Sequence, residues 1–134
     1  DRASSAQFIP FHAPNREPED AIGDIEASIS SDLPISVLLL GMGEDMHTAS
    51  LFPGVQGLRQ ALEPSAPALV VMRPESQPEA RVSLSARVLD AAIAKHLVIY
   101  GKDKRSALER ALLLPPEEAP IQAVLTATTV HWAP

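Results

Sequence analysis

The sequence predicts an α/β fold: a Rossmann-like, layered, mostly parallel sheet with helices on both faces. Three observations predict it. Helical and strand patterns alternate along most of the chain, as they do when helices join successive strands of one sheet. The run at 35–40 is apolar without alternation, the mark of a strand buried on both faces in a parallel sheet. Aromatic residues are only 4% of the chain, so its core is built mainly from Leu, Ile, Val and Ala, which suits a layered α/β fold better than a β-sandwich.

Each element has its own local reason. Residues 1–17 are polar and broken by Pro10 and Pro14, with a short apolar patch at 8–11 and a loop histidine, His12. Residues 18–31 read as a helix: Pro18 suits a first-turn position and Glu19 and Asp20 suit the positive end of the dipole. Ile22, Ile25 and Ile29 form its apolar stripe. The central strand follows at 35–40 and stops at Gly41. The stretch after His47 can begin a helix, closed by Pro53-Gly54.

Residues 54–67, bounded by glycines and prolines, make a loop or short helix, and 68–72 are a second strand. Residues 73–78 are a turn or loop, and 81–85 alternate as a strand with Val82 and Leu84 on one face. Ser85 can cap a helix to about residue 94, with Val88, Leu89, Ala92 and Ile93 as its apolar face. A further apolar strand, 96–101, again ends in glycine. The clearest helix is 102–114, its stripe Ala107, Leu108, Ala111 and Leu112, stopped by Pro115-Pro116. Residues 121–125 are a strand or short helix, and 130–132 a last strand. The prolines mark connections between elements, so 1–134 reads as a single domain.

Charge and composition exclude several classes. The net charge of −6 argues against a nucleic-acid surface, which needs a basic stripe. The absence of cysteine excludes disulfides and thiolate catalysis and fits a reducing, cytoplasmic setting. No apolar run approaches the roughly 18–20 residues of a membrane span. His12, His47, His96 and His131 show no metal-ligand spacing, so no metal is expected.

The chemistry concentrates at the two strand ends. Open parallel sheets bind ligands at their carboxyl edge. Gly41 and Gly43 at one end, and Gly101 at another, allow close backbone approach or a positive φ. Gly-x-Gly is not the dinucleotide fingerprint, because Met46 occupies the third glycine's offset; a plain tight turn also fits. Asp45 and His47 can form an acid–base pair, the imidazole taking a proton from water and the carboxylate fixing its tautomer. Equally, Asp45 can cap the following helix and His47 be a satisfied polar residue. Thr48 and Ser50 lack the nucleophile elbow. Lys102, Lys104 and Arg105 oppose the dipole at a helix start, so they suit an anionic ligand or are solvated surface charges.

Residues 38–54, Leu-Leu-Leu-Gly-Met-Gly-Glu-Asp-Met-His-Thr-Ala-Ser-Leu-Phe-Pro-Gly, resemble the signature of 6-phosphogluconolactonases, which share a fold with glucosamine-6-phosphate isomerases/deaminases. Residues 81–85, 98–104 and 121–132 resemble the same family in the same order. The resemblance implies hydrolysis of 6-phospho-D-glucono-1,5-lactone, a small-molecule sugar-phosphate lactone, with no metal and no organic cofactor. It implies that His47 is the general base, that Asp45 is its motif aspartate, and that Lys104 meets the substrate phosphate. It places Arg81 near the substrate and Gly41 and Gly43 in the substrate-binding turn. Two departures stand out. Met46 occupies the family's usual glycine, and the family's N-terminal half is not in this sequence, so the chain is expected to be an incomplete family domain, the C-terminal portion. The alternatives are an isomerase/deaminase, which Ser50-Leu-Phe-Pro disfavours, and a catalytically silent sugar-phosphate-binding fragment.

Overall fold

A computed structural model describes residues 4–75 and 79–134. Strands β1 (Val37–Leu40), β4 (Ala94–Tyr100) and β5 (Thr128–Ala133) form a parallel sheet in the order β1-β4-β5. Strands β2 (Leu69–Met72) and β3 (Arg81–Leu84) pair antiparallel as a separate two-stranded sheet. Their antiparallel pairing follows from residues 73–80, too short a link for a parallel crossover of about a dozen residues or more. Part of the expected turn, 76–78, lies outside the described residues.

Helices α2 (Leu58–Leu62), α3 (Ala86–Asp90) and α4 (Lys102–Ala111) bury small and aliphatic side chains against one face of the parallel sheet. Leu58, Ala61, Leu89, Ala107 and Ala111 share one buried core cluster with Leu40, Leu97 and Ile99. The buried 3-10 turn Pro120–Val124 closes this core with Ile121 and Val124, where either a strand or a short helix was expected. Helix α1 (Pro18–Ile29) packs elsewhere: Ala21, Ile25 and Ile29 lie on Leu69 of β2, with Ile22 only partly buried at the margin.

The α/β class and the parallel sheet stand, but helices cover only one face of that sheet among the described residues. The other face is open at Val37, 65% exposed, and Leu39, 71% exposed. Strand β1 is thus not buried on both faces, as its unbroken apolar run predicts. Apolar character on both sides of a strand does not specify a covering layer, and α1 is committed to the β2–β3 pair.

Three helices are shorter than their periodicity predicts. Helix α4 ends at Ala111, which leaves Leu112 exposed rather than in the stripe. Helix α3 stops at Asp90, and Ile93 is exposed. Ser85 stands at the N-cap of α3, but its buried hydroxyl makes no capping hydrogen bond. Helix α1 gives way to the 3-10 turn Ser30–Asp32.

Arg73, just after β2, reaches Glu19 of α1 at 2.7 Å. That hydrogen bond is the main cause holding the Glu19 carboxyl below its ordinary range. The pair's contribution is present above the unfolded-state pKa of Glu19 and is lost as pH falls through the lowered folded one. Both groups are exposed, so the effect is modest.

Candidate active site

The loop after β1 is closed on itself. The Met46 N–H donates to Gly43 O at 3.0 Å, and the Gly43 N–H donates to His47 O at 3.0 Å. The fully buried Thr48 hydroxyl donates to Gly41 O at 2.9 Å, fastening the loop to the end of β1. The Ile121 N–H donates to Met46 O at 3.1 Å, so the buried 3-10 turn braces the loop from outside. No helix begins after His47: Thr48 and Leu51 form a tight bridge, and Ala49 takes φ 50°. Hence Asp45 caps no helix there.

Asp45 instead serves His47. Its Oδ1 lies 2.6 Å from His47 Nδ1 and also accepts the His47 backbone N–H at 3.2 Å. One carboxylate oxygen therefore sets both the backbone turn and the ring. Nδ1 is bound to an acceptor, so the neutral ring carries its proton on Nδ1 and its lone pair on Nε2. Phe52 lies along the ring, centroids 4.5 Å apart and tilted by 37°. The pair is open to solvent, with side chains 32% exposed for His47 and 55% for Asp45. The arrangement can take a proton from water at Nε2 and hold the resulting imidazolium against Asp45.

Gly43 and Gly41 differ in role. A Cβ on Gly43 would meet His47 Nδ1 at 2.3 Å and Asp45 Oδ1 at 2.4 Å. Close approach, not positive φ, is what this position requires. A Cβ on Gly41 would meet nothing within 4 Å. Positive φ falls on Met46, at 67°. Its half-buried side chain packs against the core cluster rather than standing free.

Replacing Met46 by glycine removes roughly 1–2 kcal/mol of left-handed strain. The packing lost and the chain entropy of glycine, each on the order of 1 kcal/mol, oppose that gain. A small net change in melting temperature is expected; a large rise would show instead that the strain at Met46 outweighs its packing.

Strands β1 and β4 are parallel neighbours, so Gly41 and Gly43 emerge beside Gly101 and the start of α4 on one sheet edge. Lys104, partly buried, is on the first turn of α4. Gly101 has φ 84°, a conformation that favours glycine. Of the basic cluster there, Arg105 is engaged by Glu109 at 3.0 Å and by the Trp132 ring at 4.8 Å. Arg81 heads β3 in the other sheet. The Ser50 N–H donates to Ser83 Oγ at 3.3 Å, joining that strand to the loop, and Ser50 and Arg81 line one cavity of about 430 Å³ with Phe11 and His12. The structure therefore joins Asp45, His47 and Gly43 directly and aligns Lys104 on their edge. Arg81 reaches the loop through its strand.

Sequence reading missed Phe52, Thr48 and the His96–His131 contact. Phe52 was visible only as a motif letter and Thr48 only as a rejected nucleophile. The two histidines lie 3.0 Å apart across β4 and β5, a neighbourhood that strand register alone reveals.

A carboxylate-held imidazole after one strand of a parallel sheet, with a basic helix start on the same edge, defines an α/β protein whose candidate site can take a proton from water. The chain belongs to the family of glucosamine-6-phosphate isomerases/6-phosphogluconolactonase, whose profile matches residues 1–132. It is 39% identical to a 6-phosphogluconolactonase of Mesorhizobium japonicum over 140 residues, covering 98% of this chain and 58% of that protein. It is 39% identical to one of Pseudomonas aeruginosa over 136 residues, covering 98% of this chain and 57% of the relative. The crystal structure of a 6-phosphogluconolactonase from Shewanella baltica superposes with a TM-score of 0.91 at 31% identity, covering all of this chain and 60% of that one. The chain thus spans a little under three-fifths of the length of these two curated relatives.

Proposed function

We propose that this site hydrolyses 6-phospho-D-glucono-1,5-lactone to 6-phospho-D-gluconate. The observation that carries the reading is the 2.6 Å contact between Asp45 Oδ1 and His47 Nδ1, which leaves Nε2 as the open base. Nε2 takes a proton from water as the water oxygen bonds to the lactone carbonyl carbon. The carbonyl π electrons move to its oxygen, beside the turn that holds Gly41 and Gly43. Collapse of that intermediate breaks the bond to the ring oxygen, which recovers the proton from the imidazolium. A lactone is an activated ester, so an oriented water and a base suffice.

Lys104 meets the phosphate and Arg81 approaches the sugar phosphate from β3. Binding at the phosphate orients the distant carbonyl. Phe52, within the Ser50-Leu-Phe-Pro motif, lies along the imidazole and supports the lactonase over the isomerase reading. The reading places the activity in the cytoplasm, in keeping with a chain without cysteine.

Lactone ring opening above the spontaneous rate, followed by NMR, tests the reading; no acceleration would overturn it. Lys104→Ala is expected to raise KM by about tenfold to a hundredfold, the scale of a charge-assisted hydrogen bond, with kcat little changed. A lower kcat at unchanged KM would remove Lys104 from the phosphate.

A further inference from the structure

The turn that presents Lys104 is held at both of its polar backbone groups by the last strand. The Gly101 N–H donates to Ala133 O at 2.9 Å. The Gly101 carbonyl accepts the Trp132 Nε1–H at 3.0 Å, besides the first helical bond from Arg105 N at 3.3 Å. The face of the same indole receives the Arg105 guanidinium, 4.8 Å from the ring centroid. Arg105 is steadied in turn by Glu109 at 3.0 Å. Trp132 therefore touches residues 101 and 105, on either side of Lys104.

From this geometry we infer that Trp132 is a positioning residue for the anion-binding end of the site. It fixes the entry of α4 so that Lys104 is aimed before substrate arrives. The inference rests on the sugar-phosphate reading above and adds a residue to it. Two features favour a positioning role over simple packing. Trp132 is 38% exposed, so burial of its ring is incomplete. Its donor is spent on a single carbonyl, that of Gly101, whose φ of 84° favours glycine and on which the direction of α4 turns. Tryptophan combines a donor edge with a flat face that accepts a cation, and this position uses both.

Trp132→Phe keeps the face and removes the donor. It is expected to raise KM for the phosphorylated lactone about threefold to tenfold, the scale of one neutral hydrogen bond, at unchanged kcat. Amide hydrogen exchange at residues 101–105 is expected to quicken in the same variant. Normal exchange in Trp132→Phe would overturn the clamp. Faster exchange with unchanged KM would overturn its role in binding, and so would a fall in kcat at constant KM. Should the unmutated protein not hydrolyse the lactone, the proposed function falls; exchange then still decides whether Trp132 holds the turn.

Discussion

His47→Ala is expected to lower kcat for lactone hydrolysis by about 10²–10⁴-fold, the range of general-base assistance, with KM nearly unchanged. The size follows from the geometry. Nδ1 is committed to Asp45 at 2.6 Å, so Nε2 is the nitrogen left to accept a proton from water. Truncation removes that acceptor and leaves the phosphate-side residues in place. Fold stability should change little, because the His47 side chain is 32% exposed and its partners are one carboxylate and the Phe52 ring. Parallel thermal melts and steady-state kinetics check this. Unchanged turnover in the alanine variant would remove His47 from the chemistry.

How much of this was legible depends on the range of the interaction. The Asp45–His47 contact was legible as one of two open readings because it is local: residues two apart in a glycine turn can share one carboxylate oxygen. The two strands ending in glycine were readable for the same reason, and parallel pairing then put Gly43 and Lys104 on one edge. What failed depended on distant parts of the chain. The helix that the stretch after His47 could begin does not form, since the Ser50 N–H goes to Ser83 Oγ on the distant β3 and the chain turns at Ala49. The apolar run of β1 showed that both sides tolerate burial, but not that α1 packs on Leu69 instead. Met46 was readable as the irregular residue of the motif and does take positive φ. That its side chain joins the core was not, because the packing direction depends on the distant turn whose Ile121 N–H meets Met46 O.

Gly43→Ala is expected to cost nearly as much in kcat as losing the imidazole, about 10²-fold or more, although it removes no functional group. The added methyl would lie 2.3 Å from His47 Nδ1 and 2.4 Å from Asp45 Oδ1, so either ring or carboxylate must leave its position. The ring cannot simply swing aside, since Phe52 flanks it at 4.5 Å. The backbone cannot withdraw without breaking the two hydrogen bonds that close residues 43–47. Gly41→Ala is the control for the clash alone: nothing lies within 4 Å of its added methyl, so the Asp45–His47 contact and the melting temperature should be kept.

The decisive comparison is the double variant. Once His47 is alanine, the ring that Gly43→Ala would displace is gone, and the Asp45 side chain, 55% exposed, is free to turn away. The two substitutions should then be non-additive, with Gly43→Ala/His47→Ala matching the kcat of His47→Ala alone. A further large loss in the double variant would mean that Gly43 acts on the substrate directly, through its backbone at the carbonyl, rather than by making room for the base.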